Sequence, residues 1–367
     1  MRTDLSQDVE GQPSVDDSLP IRRPTIAAVA ASAGVSKATV SRYFNHEQLL
    51  TPDIAARVRK AIEELGYAPS PMAQALSRGR SRLVGLIVAD IANPYSVAVL
   101  RGAEQACQEA GYLVMLFNLG NASGREREAI DALAGYQVDG FILNAPGRGA
   151  GVMEALERNG KPAVLVDRRH IGMTADFVAL DSAGAMVAAC EHLAGNGYRE
   201  LVYVTEPTKG VSSRRERATA FGRYVSSHAA SVSGQVFEQS EGGDSLLEDA
   251  MRALILRAKA AKDGRRAAVV SGNAVVTLRI ASMAAKCGWQ FGADLGFLGF
   301  DDPEWAPLIG PGLSAIAQPT DAIGRTAATC LIDRLRGEDA PPRQILLPGQ
   351  LVVRGSSAQV SEAQPSN

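Results

Sequence analysis

The sequence predicts a small all-α head with a helix-turn-helix, followed by a larger two-lobed α/β domain. Three observations predict this order. Residues 25–65 carry apolar side chains at helical spacing, interrupted by single glycines. From residue 83 onward, short apolar runs alternate with helical stretches in two successive series. The length of 367 residues is too great for one compact domain, so a multi-domain protein with a sizeable core is expected.

The first two helices of the head are separated by one glycine. Thr25 is the predicted N-cap of the first helix, and Gly34 ends it. Its apolar face comprises Ile26, Val29, Ala30 and Ala33. Ser36 is the predicted N-cap of a second helix, on which Val40 and Phe44 lie four residues apart on one face. Two short helices joined in this way form a helix-turn-helix.

A third helix is predicted from a cap followed by proline, in the run Thr51-Pro52-Asp53, and it should end at Gly66. Its expected inward residues are Ile54, Val58, Ile62 and Leu65. The alternative is an ordinary all-α domain on which the basic side chains are merely solvated. Charge argues against that alternative, because residues 21–82 hold ten Lys or Arg against four Asp or Glu. A basic head of this kind is typical of a nucleic-acid-binding protein.

The head resembles the DNA-binding head of the lactose-repressor (LacI) family of bacterial transcription regulators. The resemblance rests on G-V-S-K-A-T-V-S-R-Y-F-N, then R-V-R-K-A-I-E-E-L-G-Y-A-P, then A-Q-A-L. It implies that the second helix enters the major groove, with Lys37, Ala38 and Arg42 at base edges and with Thr39 and Ser41 on phosphates. The expected DNA-binding set also includes Thr25, Ser36 and Asn45.

Residues 69–82 form the predicted connection between the head and the larger domain. Taken alone, this basic segment fits a flexible tether as well as a short helix. The family resemblance implies a hinge helix in the minor groove, with Leu76 as a wedge between base pairs and Ala73 as a neighbouring contact. The family usually has Asn where Ser70 stands here.

Seven apolar runs predict the buried strands of the larger domain. They cover residues 83–89, 112–117, 140–143, 162–166, 201–204, 267–270 and 295–300. Short buried strands that alternate with helices indicate parallel sheets with right-handed crossovers. Because the runs form two series, two lobes are expected.

Polar residues follow these strands where parallel sheets bind their ligands. They are Asp90, Asn118, Asn144, Asp167, Asn273 and Asp301. Carboxylates and amides at the carboxyl ends of strands suit a polyhydroxylated ligand in a cleft. The alternative for any one of them is that it merely begins a turn.

The family resemblance extends over nearly the whole chain. It is carried by D-I-A-N-P-Y, V-D-G-F-I-L-N, L-V-D-R, L-G-F-D-D, I-A-Q-P-T and R-G-S-S. It implies a two-lobed fold of the periplasmic-binding-protein type and no enzymatic activity. The effector-contacting residues that it implies are Asp167, Arg217, Asn273, Asp301 and Gln318, and the full expected set adds Asp90, Tyr95 and Asn144. The family commonly has Asp directly after the Asn at position 273, and this chain has Ala274 there.

The expected domain boundaries follow from these motifs. They are a disordered arm (1–22), the head (23–68), the hinge (69–82), the effector and dimerisation domain (83–355) and a disordered tail (356–367). Lobe 1 should take about 83–181 plus 320–342, and lobe 2 about 182–316 plus a last strand near 345–354. The polar arm has no apolar core of a signal peptide, and no run of the chain suits a membrane span, so we expect a cytoplasmic protein.

The effector is expected to be a sugar or a sugar acid. Three segments resemble the branch of the family that responds to sugar acids, in particular 2-ketogluconate: S-S-R-R-E-R-A-T-A-F, D-D-P-E-W-A-P-L-I-G and A-Q-P-T. A carboxylate needs a cationic partner, which Arg217 together with Arg168, Arg214 or Arg215 can supply. The sequence leaves open which of these three arginines takes part.

An enzyme and a transport binding protein are the alternatives. The sequence has no G-x-S-x-G, no H-E-x-x-H and no phosphate-binding G-x-x-x-x-G-K, and its four His show no ligand spacing. No cofactor or metal is therefore expected. The predicted protein is a homodimeric repressor on a near-palindromic DNA operator, with a tetramer less expected because the C-terminal residues lack leucine heptads.

Overall fold

The computed structural model describes residues 24–68, 80–122, 124–145, 150–170, 172–239, 243–261 and 263–358. The chain divides into two compact units, Met1–Gly79 and Arg80–Asn367. Within the described segments, no helix is long and apolar enough to span a bilayer.

Within residues 24–68, the described part of the first unit, there are three α-helices: α1 (Ile26–Ala33), α2 (Lys37–His46) and α3 (Pro52–Leu65). Thr25 and Ser36 cap the first two through their hydroxyl oxygens, as the sequence predicts. Gly34 and Gly66 end α1 and α3 in the left-handed region, at φ values of 64° and 60°. The helix-turn-helix prediction is confirmed, since α1 and α2 flank this glycine turn.

The core of the head differs from the predicted stripe on α3. Val58 is fully buried, but Leu65 is 37% exposed, so its prediction as an inward residue is wrong. Ala55 and Ala61 are buried instead. Small side chains let α1 and α3 approach closely, and a leucine in the last turn lies outside that contact. Thr51 precedes α3 without a side-chain capping bond, and Pro52 supplies the helical φ at the first position.

The second unit has two lobes, each built on a six-stranded sheet. The strands of the first sheet are β1 (Leu83–Val88), β2 (Leu113–Asn118), β3 (Gly140–Asn144), β4 (Ala163–Val166), β5 (Asp176–Leu180) and β11 (Gln344–Leu347). Their order is β11-β5-β4-β3-β1-β2, and all neighbours are parallel. The helices that cover this sheet are α4 (Pro94–Glu109), α5 (Glu126–Gly135), α6 (Ala150–Asn159) and α11 (Thr320–Leu335).

The second sheet repeats this arrangement. Its strands are β6 (Tyr198–Thr205), β7 (Ser233–Glu238), β8 (Arg266–Ser271), β9 (Gly296–Phe300), β10 (Ser314–Ala317) and β12 (Gln350–Val352). Their order is β12-β10-β9-β8-β6-β7, with β12 alone antiparallel to its neighbour. The covering helices are α7 (Ser182–Gly195), α8 (Ser212–Ser227), α9 (Asp244–Ala260) and α10 (Ala274–Cys287). All seven predicted apolar runs therefore form strands of two parallel sheets.

Each sheet is buried on both faces. In the first lobe, one core lies under α4 and α11 and another under α5 and α6. In the second lobe, α7 with α8 and α9 with α10 cover the two faces in the same way. Gly102 of α4 and Gly324 of α11 set the contact between those helices, because a Cβ at either position would overlap the backbone of the other helix.

The chain passes between the lobes three times, after β5, after β10 and between β11 and β12. The sequence predicts one last strand near 345–354 in the second lobe, and the structure divides this stretch in two. Gln344–Leu347 joins the first sheet beside β5, and Gln350–Val352 joins the second. Pro348 cannot donate a ladder hydrogen bond, so the strand breaks there and the chain changes lobes.

The C-terminal residues are ordered further than the sequence predicts. Ser356 and Ser357, placed in a disordered tail, are fully buried in the second lobe. Ser356 Oγ donates to the Phe297 carbonyl at 2.8 Å and accepts from the Ser314 amide at 2.7 Å. These bonds anchor the chain beyond β12, because hydroxyl side chains can satisfy backbone groups at the end of a sheet.

Candidate functional site

The exposed surface of α2 carries the residues that the sequence assigns to DNA. Lys37, Ala38 and Arg42 are exposed, whereas Val40 is buried in the core of the head. Thr39 Oγ1 lies 2.9 Å from the capping Ser36 Oγ. The first turn of α2 is therefore fixed, and one polar face of the helix is open to solvent.

Most cations of α3 are engaged within the head. Arg57 Nη2 donates to the carbonyls of Ala33 and Gly34, at 2.6 and 3.0 Å, and so holds the turn between α1 and α2. Arg59 pairs with Glu47 at 2.8 Å. Lys37 and Arg42 make no ion pair with any residue that the structure describes. These two cations of α2 are thus available for an external anion.

The other predicted DNA-binding residues have mixed surroundings. Thr25 is exposed and caps α1. Asn45 Nδ2 donates to the Ser41 carbonyl at 3.1 Å, one turn earlier on α2. Ala73 and Leu76, together with the rest of the hinge from 69 to 79, lie outside the described residues.

In the second unit, a cavity of about 480 Å³ opens between the lobes. From the first lobe it is lined by the N-terminal turns of α4, including Tyr95, and from the second by the segment 301–305 that follows β9. Gln318, at the crossing after β10, also lines it. The cavity lies beyond the carboxyl ends of the strands, where open α/β sheets bind ligands, and its size suits a small molecule.

Two aspartates occupy matching positions at the strand ends of the two lobes. Asp167 directly follows β4, and Asp301 directly follows β9. Both adopt a left-handed backbone, with φ values of 61° and 73°. Non-glycine residues adopt this conformation at an energetic cost, and such residues concentrate at functional sites. Asp301 lines the cavity, and a shared ligand contact for these two carboxylates stays a prediction.

Asp301 belongs to a hydrogen-bonded chain in the second lobe. Its Oδ1 accepts from Gln318 Nε2 at 2.6 Å, and its Oδ2 accepts from the Ala274 amide at 3.0 Å. Burial raises the pKa of Asp301, and the positive charge of Arg217 opposes that rise. Asp301 and Gln318 thus reach the cavity as a fixed pair.

Arg217 is buried and engaged on all sides. Its Nη1 donates to the Gly272 carbonyl at 2.8 Å, its Nη2 to Gln318 Oε1 at 3.4 Å and its Nε to Ser182 Oγ at 3.3 Å. The guanidinium lies 4.2 Å from the centre of the Phe300 ring. Arg217 is thus held rigidly at the floor of the cleft.

Asn273 and Arg214 meet at Glu206, just after β6. Asn273 Nδ2 donates to Glu206 Oε2 at 2.7 Å, while Asn273 Oδ1 caps α10 by accepting from the Val276 amide at 2.9 Å. Arg214 forms an ion pair with the same Glu206 oxygen. Burial lowers the pKa of Arg214, and the carboxylate of Glu206 opposes that effect.

Across the cleft, the polar groups of the first lobe have fewer partners. Tyr95 is buried, and its hydroxyl has no hydrogen-bond partner among the described residues. Burial raises the pKa of Tyr95 well above its usual value, and the negative charges of Asp167 and Asp301 raise it further. Asn144, at the end of β3, is also buried and its Oδ1 likewise lacks a described partner.

Arg168 and His170 continue the first-lobe wall after β4. Arg168 is 8% exposed, and its Nε lies 3.5 Å from Asp167 Oδ2 without a hydrogen bond. His170 is 5% exposed, and neither ring nitrogen has a described partner. Burial lowers the pKa of His170, a contact with the Ala145 backbone opposes that shift, and the nearby charge of Arg168 lowers the pKa further. Sequence reasoning missed His170, because a lone histidine without ligand spacing carries no signal of its own.

Contacts across the cleft tie the two lobes together at α8. Ser213 Oγ donates to Asp167 Oδ2 at 3.2 Å, and Ser212 Oγ accepts from the Arg169 amide at 2.8 Å. Arg169 also pairs with Glu216 at 3.4 Å. The start of α8 therefore faces the segment after β4.

Asp90 and Asn118 support a turn. Asp90 Oδ1 accepts from the Ala92 amide at 2.9 Å, and Asp90 Oδ2 accepts from Asn121 Nδ2 at 2.8 Å. Asn118 Oδ1 accepts from the amides of Ile91 and Gly120. These bonds match the alternative that such residues merely begin a turn, and an effector contact for Asp90 stays a prediction.

Comparison with known proteins defines the class of protein to which this fold and these sites belong. Residues 25–70 match the model of the bacterial regulatory proteins of the lacI family, and residues 190–357 match a periplasmic binding protein-like domain. The HTH-type transcriptional regulator PtxS of Pseudomonas aeruginosa is 43% identical over 341 residues, which cover 92% of this chain and 97% of that protein. The chain belongs to the LacI family of bacterial regulators.

A second relative and two solved structures agree with this assignment. The regulator KdgR of Bacillus subtilis is 36% identical over 334 residues, which cover 90% of this chain and 97% of that protein. The structure of a CelR–cellobiose complex matches with a TM-score of 0.63 at 27% identity, over 91% of this chain and 100% of that one. The lac repressor dimer bound to operator matches with a TM-score of 0.77, over 92% of this chain and 100% of that one, and at 23% identity it supports the fold alone.

The protein is thus a DNA-binding transcriptional regulator with a periplasmic-binding-protein-like effector domain. Its relatives are regulators of transcription rather than enzymes. The CelR structure is of a complex with cellobiose, and the lac repressor structure is of a dimer bound to operator.

Proposed function

We propose that this regulator represses genes of sugar-acid catabolism, those for gluconate or 2-ketogluconate, and that a sugar acid releases it from its operator. The observation that carries the proposal is the composition of the interlobe cleft. Asp301 lines it, and the charges of Asp167 and of the buried Arg217 and Arg168 act on Tyr95, which lines it as well. The carboxylates suit the hydroxyls of a sugar, and a guanidinium suits the carboxylate of an acid.

The effector would act by shifting a population between two arrangements of the lobes. A ligand that touches both Asp167 and Asp301 stabilises the arrangement in which the two strand ends approach each other. DNA affinity changes if that arrangement differs in the spacing of the two heads of a dimer. For an acid that induces catabolism, the bound form is the one with lower affinity for the operator.

The effector is identified by titration calorimetry of the full chain with 2-ketogluconate, gluconate, 2-keto-3-deoxygluconate and neutral hexoses. Mass spectrometry of the same samples checks for turnover. We expect one sugar acid to bind tightly without product, and the same acid to release a fluorescent operator duplex. Tighter binding of a neutral hexose would leave the function as a regulator in place but reject the sugar-acid effector. Turnover of a ligand would favour the function as an enzyme.

For DNA, we propose that α2 enters the major groove with Lys37, Ala38 and Arg42 at base edges. Thr25, Ser36, Thr39, Ser41 and Asn45 would then support the contact or reach phosphates, and Ala73 and Leu76 would lie in the minor groove. A single head makes few contacts, so a two-fold dimer on a near-palindrome is proposed. Sedimentation of the complex tests this, because a monomer on one half-site would contradict it.

Arg42 gives the sharpest test of base reading. Its guanidinium is exposed on α2 without an ion-pair partner among the described residues, so it is available for a bidentate contact to guanine. Arg42→Ala should cost about 1–3 kcal/mol of operator binding and relax the preference at one base pair.

Binding to a library of operator variants measures this preference. Lys60→Ala is the matched control, since Lys60 is an exposed cation of α3 that lies 3.8 Å from Glu64. Equal weakening of all duplexes by Arg42→Ala would assign Arg42 to a phosphate.

A further inference from the structure

Buried polar atoms without partners are concentrated at one edge of the first lobe. The described residues contain eight such side-chain atoms, and five of them belong to Tyr95, Asn144, Arg168 and His170. Tyr95 lies in the helix after β1, Asn144 is the last residue of β3, and Arg168 and His170 follow β4. These three strands are neighbours in the first sheet. Folded proteins leave few buried polar groups unsatisfied, so this concentration marks a wall built to contact a polar ligand.

The arginines near the cleft differ in the donors that they have left. Arg217 donates from all three guanidinium nitrogens, and Arg214 is paired with Glu206. Arg215 is exposed on α8. Arg168 is buried but makes no hydrogen bond from its guanidinium to any described residue.

The surroundings of Arg168 explain how a buried cation is held there. Asp167 lies 3.5 Å from its Nε and supplies a compensating charge without a hydrogen bond. Asp167 Oδ2 itself accepts from Ser213 of the opposite lobe. Arg168 and His170 both follow β4, and the charge of Arg168 acts on the Tyr95 hydroxyl and on the His170 ring.

We infer that Arg168 is the residue that recognises the carboxylate of the effector, while Tyr95, Asn144 and His170 receive the adjoining oxygens. This inference rests on the proposed acidic effector and assigns its charged end to the first lobe. Arg217 uses three of its five N–H donors within the protein and orients hydroxyls from the second lobe with the others. The planar guanidinium of Arg168 is suited to two parallel bonds with a carboxylate, and a neutral sugar cannot complete that pair.

The test compares two ligands that differ at one carbon. D-fructose has the skeleton of 2-ketogluconate with a hydroxymethyl group in place of the carboxylate. Calorimetry measures both ligands on the full chain and on Arg168→Gln, Arg168→Lys and Arg169→Gln. Arg169 is the matched control, because it is the next arginine along the chain but is half-exposed and paired with Glu216. Thermal unfolding and operator binding without ligand report on folding.

For the wild-type protein we expect about a hundredfold preference for the acid, since hydrogen bonds to charged groups contribute about 1.5–3 kcal/mol. Arg168→Gln should reduce this preference to less than about tenfold, mainly by lowering the affinity for the acid. Arg168→Lys should keep part of it, because the charge remains but the bidentate geometry is lost. Arg169→Gln should keep it in full.

The outcomes separate this inference from the proposed function. If the wild type prefers the acid and Arg168→Gln keeps that preference, the Arg168 assignment is wrong and the acidic effector stands. An equal loss in Arg169→Gln would also overturn the assignment, since the effect would then not belong to Arg168. If the wild type itself fails to prefer any acid, the acidic effector is rejected before any variant is considered, and the role of Arg168 falls with it.

Discussion

The two lobes share one architecture but treat the polar groups at their strand ends differently. The strand orders β11-β5-β4-β3-β1-β2 and β12-β10-β9-β8-β6-β7 match position by position. Asp167 after β4 corresponds to Asp301 after β9. The Asp167 amide donates to the Val178 carbonyl at 3.0 Å, and the Asp301 amide donates to the Ile316 carbonyl at 3.1 Å, each on the neighbouring strand. In the second lobe, Asp301 is satisfied by Gln318 and the Ala274 amide. In the first lobe, Asn144 and its neighbours retain unsatisfied atoms.

This difference shows that a shared fold does not determine how many polar groups at a surface remain free to hydrogen-bond a ligand. In the second lobe, Asp301, Gln318 and Arg217 are hydrogen-bonded to one another or to the backbone, although the Tyr203 hydroxyl and Gln239 Oε1 lack described partners there. The first lobe has buried donors and acceptors without described hydrogen-bond partners at the same edge of its sheet. Substitutions should therefore separate into those that reduce stability and those that reduce effector binding.

The largest expected effect lies at the opposite edge of the first sheet, where the lobe is fully satisfied. Asp176 begins β5, is buried, and accepts hydrogen bonds from Arg334 and Arg343. Asp176→Asn should lower the free energy of unfolding by about 3 kcal/mol, because Arg334 loses its carboxylate partner and Arg343 keeps only Asp333. Urea unfolding measures the loss. Asp302→Asn, which disrupts the more exposed pair with Arg354, is the control and should cost less.

The same pair predicts a pH dependence. Burial alone would raise the pKa of Asp176, but the hydrogen bonds from Arg334 and Arg343 outweigh it and hold the pKa well below its usual range. A carboxyl with a depressed folded-state pKa stabilises the protein above its unfolded pKa of about 3.9 and loses this contribution as the pH falls. The stability gap between wild type and Asp176→Asn should therefore be constant near neutral pH and close below about pH 4. A gap that widened on acidification would contradict this account.

An intermediate effect is expected for Asn273 in the second lobe. Asn273→Ala removes both the cap of α10 and a donor to Glu206, so it should cost about 1–2 kcal/mol of stability without any effector present. Thermal unfolding of the free protein measures it. Asn273→Ser retains a capping oxygen but cannot reach Glu206, so it should recover part of the loss. Unchanged stability in Asn273→Ala would show that the second lobe is not held together at this edge.

The smallest effect on stability is expected at Tyr95 in the first lobe. Its hydroxyl has no described partner, so Tyr95→Phe should leave unfolding unchanged or slightly raise stability, while it weakens effector binding by about tenfold. Tyr198→Phe is the matched control, because the Tyr198 hydroxyl accepts from Arg266 Nη2 at 2.7 Å and its removal should destabilise the second lobe. Equal destabilisation by both variants would erase the contrast between the lobes.

Local patterns in the sequence predicted much of the fold. Thr25, Ser36 and Gly34 placed the helices of the head, because capping and left-handed turns depend on neighbouring residues only. The long apolar runs predicted the central strands, which are buried on both faces. Strands β5, β7 and β10 were not predicted. β7 lies at the edge of its sheet and is mostly exposed, and β10 has four residues, whereas β5 is as long and as buried as the predicted β3.

The candidate cleft was predicted in outline. Strand-end position alone selected Asp167 and Asp301, because parallel strands bring their carboxyl ends to one edge whatever the side chains are. The same rule selected Asp90, whose hydrogen bonds serve a turn instead. The position of a polar side chain along a strand does not reveal whether it already forms hydrogen bonds with a neighbouring amide or side chain.

The sequence by itself therefore determined the class of the head, the two-lobed α/β plan and the edge at which the candidate cleft lies. Each of these follows from periodicity, capping and strand direction, which are local properties of the chain. Only the tertiary structure decided that Arg217 is engaged and Arg168 is not, that His170 joins the first-lobe wall, and that Ser356 closes the second sheet. Those outcomes depend on partners from distant parts of the chain, since hydrogen-bond satisfaction is a property of the packed structure.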